Sequence, residues 1–115
     1  MSHRPWRLTV QAENSLTDIA LWTIETFGPR QAQAYERDLS AECERIAAGS
    51  VPSRSCRSAI DPGLPEELRF TRFGQHLIVF IEAPEQVVIV DFVHARRDLP
   101  GRLTDLARGK EGGEP

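Results

Sequence analysis

The sequence has few of the residue types that mark several protein classes. Only two of its 115 residues are cysteines, too few for a disulfide-stapled secreted domain. No apolar run approaches the roughly 18 residues of a membrane-spanning helix, and no signal peptide follows the N-terminus. Lysine occurs once and the net charge is −3, which excludes binding to nucleic acid through overall charge. We therefore expect a cytoplasmic protein without a membrane segment and without sequence-specific DNA binding of its own.

The potential metal ligands lack the spacing of a metal site. Cys43 falls on a predicted helix and Cys56 in a predicted loop, and the three histidines are scattered through the chain. Two reduced thiols are the favoured interpretation, with a bridge between them as the alternative. We expect no metal and no cofactor.

The composition is that of one globular domain, with 40% hydrophobic and 27% charged residues. Residues 1–103 are expected to form the domain. Residues 104–115 are rich in glycine and glutamate and are expected to form a disordered tail.

The first half of the chain predicts a strand and two helices. Residues 6–11 alternate apolar and polar side chains, as in a half-buried strand. A helix is predicted over 15–26, and Gly28 and Pro29 separate it, through a left-handed cap, from a second helix over 29–48. The predicted buried faces consist of Leu16, Ile19, Ala20, Thr23 and Phe27 on the first helix and of Ala32, Tyr35, Leu39, Cys43 and Ile46 on the second, with Glu42 on an outer side.

The second half predicts a three-strand meander. Residues 49–65 are predicted to be a loop without structure, and strands are predicted over 67–73, 76–82 and 87–94. A short helix is possible over 99–108. The fold class is therefore α+β in the order β-α-α-β-β-β, with a helical hairpin on one face of an antiparallel-rich sheet.

The last two strands are apolar on both faces, although the helical hairpin can cover only one. This surplus predicts a surface for a partner. The alternative is that the segment from Leu99 covers the second face. Trp22 lies off the predicted buried face of the first helix. It either packs on the predicted loop over 49–65 or anchors a partner.

Charged residues near the strands have both structural and functional interpretations. Asp91 interrupts an apolar strand and needs a partner if it is buried, and Arg69 is the candidate. Arg96 and Arg97 either present charge to a target or pair with nearby aspartates. Arg69 and Arg72 could extend them into a basic stripe.

An ordered set of motifs resembles the ParE branch of the RelE/ParE toxins of bacterial toxin–antitoxin pairs. The set covers residues 7–99, although no single motif in it is specific. The first motif is Ala12 with Ser15, Leu16 and Ile19, and the second is the helix junction 27–32 followed by Tyr35. The third is the hairpin 68–80, and the fourth is the closing segment 93–98.

The ParE and RelE branches of this family differ in the chemistry that their toxins perform. ParE-like toxins bind DNA gyrase, which requires a surface and no bond-making residues. RelE-type toxins, the alternative, cut messenger RNA on the ribosome and need acid, base and cationic groups at the phosphate. Leu77 stands where RelE-type sequences often carry arginine, and only His76 and His94 remain for proton transfer. The resemblance thus favours a non-enzymatic gyrase inhibitor.

The resemblance also implies a ParD-like antitoxin as partner. Its C-terminal helix and an extended segment would lie across the helical hairpin and the sheet, and the complex would repress its own operon through the antitoxin. The candidates for contact with the target are Arg69, Arg72, His94, Arg96 and Arg97. The candidates for contact with the antitoxin are Trp22, Leu77, Val79, Val88, Val90 and Phe92.

Overall fold

A computed structural model describes residues 4–96. Its elements are β1 (Trp6–Leu8), α1 (Val10–Phe27), α2 (Pro29–Ala47), β2 (Arg54–Ser55), α3 (Cys56–Ala59), β3 (Leu68–Phe73), β4 (His76–Glu82) and β5 (Val87–His94). The α+β class, the helical hairpin and the meander are confirmed. The predicted helix over 99–108 and the tail over 104–115 lie outside the described residues. No described helix is long and apolar enough to cross a bilayer.

The sheet is mixed, with the strand order β1-β5-β4-β3-β2 in the described chain. β1 pairs in parallel with β5, and the other neighbours pair antiparallel. The register places His76, at the start of β4, opposite His94, at the end of β5. Two histidines distant in sequence therefore lie at one end of the sheet.

α1 begins five residues earlier than the sequence pattern predicts. Thr9 has extended backbone angles, and its Oγ1 accepts a 3.0 Å hydrogen bond from the backbone N–H of Ala12, so Thr9 is the N-cap. The same hydroxyl donates to the carbonyl oxygen of Val90 at 2.7 Å. The strand predicted over 6–11 thus ends at Leu8, because Thr9 caps a helix that begins with Val10.

A single residue separates the two long helices. Gly28 has φ 97° and ψ 163°, so its φ is positive, as predicted for a glycine cap, but its ψ is outside the left-handed helical region. Pro29 is the first residue of α2, as predicted. Phe27 is 63% exposed and is not part of the buried face of α1, which corrects the sequence prediction.

The sheet has an apolar core on each face. The helix-side core lies beneath α1 and α2 and includes Leu39, Ile46, Ile78, Phe80, Ile89 and Phe92. The far-side core consists of Cys56, Leu64, Leu68, Leu77, Val79 and Val93. Glu42 of α2 is buried and forms an ion pair with Arg45. This corrects the prediction that Glu42 lies on an outer side of the helix.

Residues 49–65 are not a structureless loop. They contain β2 and α3, and Cys56 and Leu64 of this segment pack onto the far-side core. Leu77 is 5% exposed and Val79 is fully buried. The prediction of an uncovered second face was therefore wrong, because the segment after α2 folds back over it.

Asp91 is completely buried, and a β-bulge turns it away from the far-side core. Val79 pairs with Asp91 and Phe80 pairs with Ile89, so Val90 is an extra residue in β5. The Asp91 carboxylate accepts hydrogen bonds from Ser15 Oγ at 2.6 Å and from the backbone N–H of Phe92 at 2.8 Å. The predicted partner Arg69 instead donates to Ser53, through Nε to Oγ at 2.7 Å.

The two cysteines are free thiols in opposite cores, which confirms the favoured interpretation. Burial raises the pKa of Cys43 to about 12 and that of Cys56 to about 11. Both side chains are protonated at neutral pH and act as small apolar groups.

Candidate functional site

A groove of about 620 Å³ lies between the helical hairpin and the end of the sheet. We call it the helical groove. It is lined by α1, α2, the β3–β4 turn and the ends of β4 and β5. Its lining includes Asp18, Trp22, Phe27, Tyr35, Asp38, His76, Phe92 and His94.

One wall of the helical groove is aromatic and accessible. Trp22 is 46% exposed, and its ring meets that of Phe27 edge-on, with centroids 5.8 Å apart. Trp22 lines the helical groove, whereas Cys56 and Leu64 of the segment 49–65 pack on the far-side core. Large aromatic side chains held in a groove are typical anchors of protein–protein contacts.

The floor of the groove holds a tyrosine and two histidines. The Tyr35 hydroxyl lies 2.8 Å from Nδ1 of His76, and the ring of His94 meets that of His76 edge-on at 5.5 Å. Burial raises the pKa of the Tyr35 phenol, so it stays neutral. The histidines proposed for proton transfer are thus brought together, beside a tyrosine that the sequence pattern assigns only to the core.

The tight β3–β4 turn gives Tyr35 its position. Gly74 has φ +60°, and a Cβ there would lie 3.0 Å from the Tyr35 hydroxyl oxygen. Glycine is therefore required at this position both for the backbone conformation and for the close approach of the phenol.

The helical groove is acidic at its edges. Asp18 of α1 and Asp38 of α2 line it, and no arginine or lysine of the described chain does. The two helices together carry seven acidic side chains and three arginines. This charge opposes the approach of a phosphodiester and favours an apolar or cationic occupant.

The candidate target residues do not form one basic stripe. Arg69 pairs with Phe80 of the helix-side core and Arg72 with Leu77 of the far-side core, so the two arginines project from opposite faces of the sheet. His94 is half-buried in the helical groove, and Arg96 is exposed just after β5. Arg97 lies outside the described residues.

The candidate antitoxin contacts fall into accessible and buried groups. Trp22 is exposed, and Val88 and Val90 are half-buried. Leu77, Val79 and Phe92 are buried, so the folded chain does not present their side chains as an open surface. Asp18, Phe27 and Asp38 were not among the predicted site residues, because local pattern does not show that the two helices enclose one groove.

A second groove, of about 470 Å³, lies over the far-side core. We call it the arginine-rimmed groove. Ile60, Phe70 and Leu77 supply apolar surface, and Arg54 and Arg72 stand at its edge. Within residues 4–96, no group of three or more histidine, cysteine or acidic side chains is arranged to hold a metal ion.

Comparison with known proteins gives consistent relationships. Residues 6–99 match the family described as the ParE toxin of the type II toxin–antitoxin system parDE. A curated protein from Escherichia coli, Toxin ParE, is 32% identical over 103 residues, which covers 89% of this chain and 95% of that protein.

A solved structure, the chromosomal ParDE TA system from P. aeruginosa, has a similar fold. The superposition has a TM-score of 0.64 at 14% identity and covers 80% of this chain and 96% of the matched chain. At this identity the similarity supports the fold alone.

Proposed function

Because the chain belongs to the ParE toxin family of type II toxin–antitoxin systems, we propose that it inhibits DNA gyrase by binding it and that a ParD-like antitoxin neutralises it. The toxin acts as a docking domain and transfers no chemical group. The observation that carries this proposal is the helical groove, in which accessible aromatic side chains line a cleft with acidic edges.

The antitoxin occupies the helical groove in this proposal. Trp22 and Phe27 form its apolar contact, whereas the exposed Leu21 and Ile24 of α1 lie outside the groove. A helix with one apolar face and basic residues beside it would cover the aromatic wall and pair with Asp18 and Asp38. The buried strands stay in the cores, so the antitoxin contacts the groove and not Leu77 or Val79.

Gyrase binding is assigned to the strand ends and their cationic side chains. Arg72 and Arg96 are exposed there, and His94 borders the groove nearby. Arg69 has a structural role in this proposal, because its guanidinium is held by Ser53 through Oγ and through the carbonyl oxygen at 2.9 Å.

RNA cleavage is the second candidate function, and one observation favours it. Tyr35, His76 and His94 form a cluster that could move protons. The carboxylates of Asp18 and Asp38 on the same groove oppose the binding of a phosphodiester. The charge of the groove therefore favours a binding function.

Controlled expression of the full chain in bacterial cells tests the proposal. Gyrase inhibition predicts filamentation, induction of the DNA-damage response and retention of gyrase subunits by the tagged chain. Co-expression of the gene next to it, expected to encode a small acidic protein with a DNA-binding N-terminus, should restore growth. Cut messages and a rapid halt in protein synthesis without gyrase retention would establish the RelE-type alternative instead.

A further inference from the structure

We propose that the helical groove contains a subsite for one guanidinium group, formed by the carboxylates of Asp18 and Asp38 beside the ring of Trp22. This subsite rests on the proposed function and deepens it, because it assigns an arginine side chain of the partner to this part of the groove. Its basis is the position of the two carboxylates in the helical hairpin, their lack of cationic partners in the described chain, and the neighbouring aromatic ring.

The two aspartates lie at the same level of the helical hairpin. Asp18 is nine residues before Phe27, which ends α1, and Asp38 is nine residues after Pro29, which begins α2. Because only Gly28 separates the antiparallel helices, positions equally distant from this junction lie beside each other, here about 14 Å along each helix. Both side chains line the helical groove. Two negative charges on different helices therefore border one cavity.

Neither of these carboxylates is neutralised within the described chain. Asp18 and Asp38 are exposed, and no described arginine forms an ion pair with either of them. No arginine or lysine of residues 4–96 lines the groove between them. A cation that enters the groove at this level is therefore attracted by both charges at once.

An accessible indole lies next to these charges. Trp22 follows Asp18 by four residues on α1, so the two side chains are neighbours on one face of the helix. The indole is exposed and lines the same groove. Guanidinium groups pack on the faces of tryptophan rings, while their N–H groups bind acceptors at the edges of the guanidinium plane. The indole and the carboxylates thus suit different parts of one planar cation.

The arrangement favours a guanidinium over other ligands. A guanidinium has five N–H donors in a rigid planar fork and can bind a carboxylate on each of two edges, whereas an ammonium is a compact charge. An apolar group would cover the two carboxylates without offering them a hydrogen-bond donor. A metal ion needs more ligands, and residues 4–96 contain no group of three acidic, histidine or cysteine side chains arranged to hold one.

An NMR titration of the isotope-labelled full chain, made by cell-free synthesis, tests the subsite without gyrase and without an antitoxin. Its failure would therefore leave gyrase inhibition untouched. The probe is a capped leucine–arginine–leucine peptide. We expect it to shift the indole N–H signal of Trp22 and the amide signals of Asp18 and Asp38. The indole of Trp6, which donates to Glu44 at 3.0 Å outside the groove, should keep its signal in place.

Two further peptides test the chemistry of the ligand. In one peptide citrulline replaces arginine, which keeps the shape of the side chain and removes its charge. This peptide should bind about tenfold more weakly, because two charge-assisted contacts are lost. In the other peptide lysine replaces arginine, which keeps the charge and removes the planar fork, and its affinity should fall between those of the arginine and citrulline peptides.

Removal of the two charges provides the variant and its matched control. The double variant Asp18→Asn, Asp38→Asn should bind the arginine peptide about tenfold more weakly and no better than the citrulline peptide. The double variant Glu25→Gln, Glu36→Gln changes the net charge equally on exposed positions of the same two helices outside the groove, and it should bind like the wild-type chain. A thermal melt of each variant establishes that the chain is folded before the titrations are compared.

A third variant tests whether the guanidinium comes from a partner. Arg97, Arg102 and Arg108 lie outside the described residues, and replacing all three by lysine keeps the net charge of the chain. We expect this variant to bind the arginine peptide like the wild-type chain. Tighter binding by the variant would show that the chain's own arginines occupy the subsite, which would overturn its assignment to a partner.

The remaining outcomes that would overturn the subsite concern its existence and its chemistry. They are the absence of a shift at Trp22 with the arginine peptide, equal affinities for the arginine, lysine and citrulline peptides, and equal losses of affinity in the aspartate and glutamate variants.

Discussion

The hydroxyl of Ser15 donates a 2.6 Å hydrogen bond to Oδ1 of Asp91 and so joins α1 to the bulge in β5. Asp91 has no exposed area, and Gln11 Nε2 approaches its other carboxylate oxygen at 3.4 Å. The two elements joined in this way are a wall and the floor of the helical groove. The arrangement of polar groups at the bulge therefore fixes the shape of the proposed docking surface.

Replacement of Ser15 by alanine should destabilise the chain. The buried carboxylate would lose a donor, which lowers the free energy of unfolding by about 1–3 kcal/mol. Ser40→Ala, at an exposed position of α2, is the matched control and should change stability by less than about 0.5 kcal/mol. Chemical denaturation measures both, and equal stabilities of the two variants would contradict this role for the Ser15 hydroxyl.

Gly74→Ala should destabilise the β3–β4 turn by about 1–2 kcal/mol, because an L-residue is strained at φ +60° and its Cβ would press on the Tyr35 hydroxyl. Combining it with Tyr35→Phe removes the atom in closest contact. The double variant should therefore lose less stability than the sum of the single variants. Strict additivity would show that backbone strain alone accounts for the effect.

The sequence predicts the elements whose pattern is local. The junction at Gly28 and Pro29 and the three long strands follow from turn chemistry and hydrophobic runs, and the structure agrees. The N-terminus of α1 was misplaced because Thr9 at the end of an alternating stretch reads equally as strand or as cap.

Tertiary contacts decide the rest. Whether Leu77 is open or buried depends on the segment around Cys56 and Leu64, whose two-residue strand and short helix carry almost no pattern. The position of Asp91 depends on a bulge, which is invisible in the alternation of side chains. For the site, Trp22 and His94 were selected as separate candidates, and only the fold brings them into one groove.

Removal of the aromatic wall should weaken antitoxin binding without unfolding the chain. Trp22→Ser with Phe27→Ser is expected to weaken the complex by about 30-fold or more, the usual effect of losing anchor residues. Leu21→Ser with Ile24→Ser removes comparable apolar area from α1 outside the groove and should have a much smaller effect. Isothermal titration calorimetry with the antitoxin, after it has been separated from the toxin, compares the affinities of the two double variants. Equal losses of affinity would place the contact on the outer face of α1.

The buried thiols predict a loss of stability at high pH. The folded chain holds the protons of Cys43 and Cys56 up to about pH 12 and 11, whereas an exposed thiol releases its proton near 9.0. A pKa raised by folding adds stability that is complete below about pH 9 and is lost as the pH rises toward the folded values. The free energy of unfolding should thus fall above pH 9.

The alanine variants isolate this contribution. Between about pH 8 and about pH 11, the wild-type chain should lose about 3–5 kcal/mol more stability than the double variant Cys43→Ala, Cys56→Ala. Tyr35, whose pKa burial also raises, is common to both chains and cancels in the comparison. Parallel pH profiles would show that the thiols ionise as readily in the folded chain as in the unfolded one.

The most direct test of a binding toxin adds the purified full chain to DNA gyrase, plasmid DNA and ATP, and in parallel to a ribosomal translation extract. The account predicts gyrase-dependent accumulation of cleaved plasmid covalently attached to gyrase, with messenger RNA intact and translation unchanged. Cleaved messenger RNA in the extract, with no effect on gyrase, would contradict it.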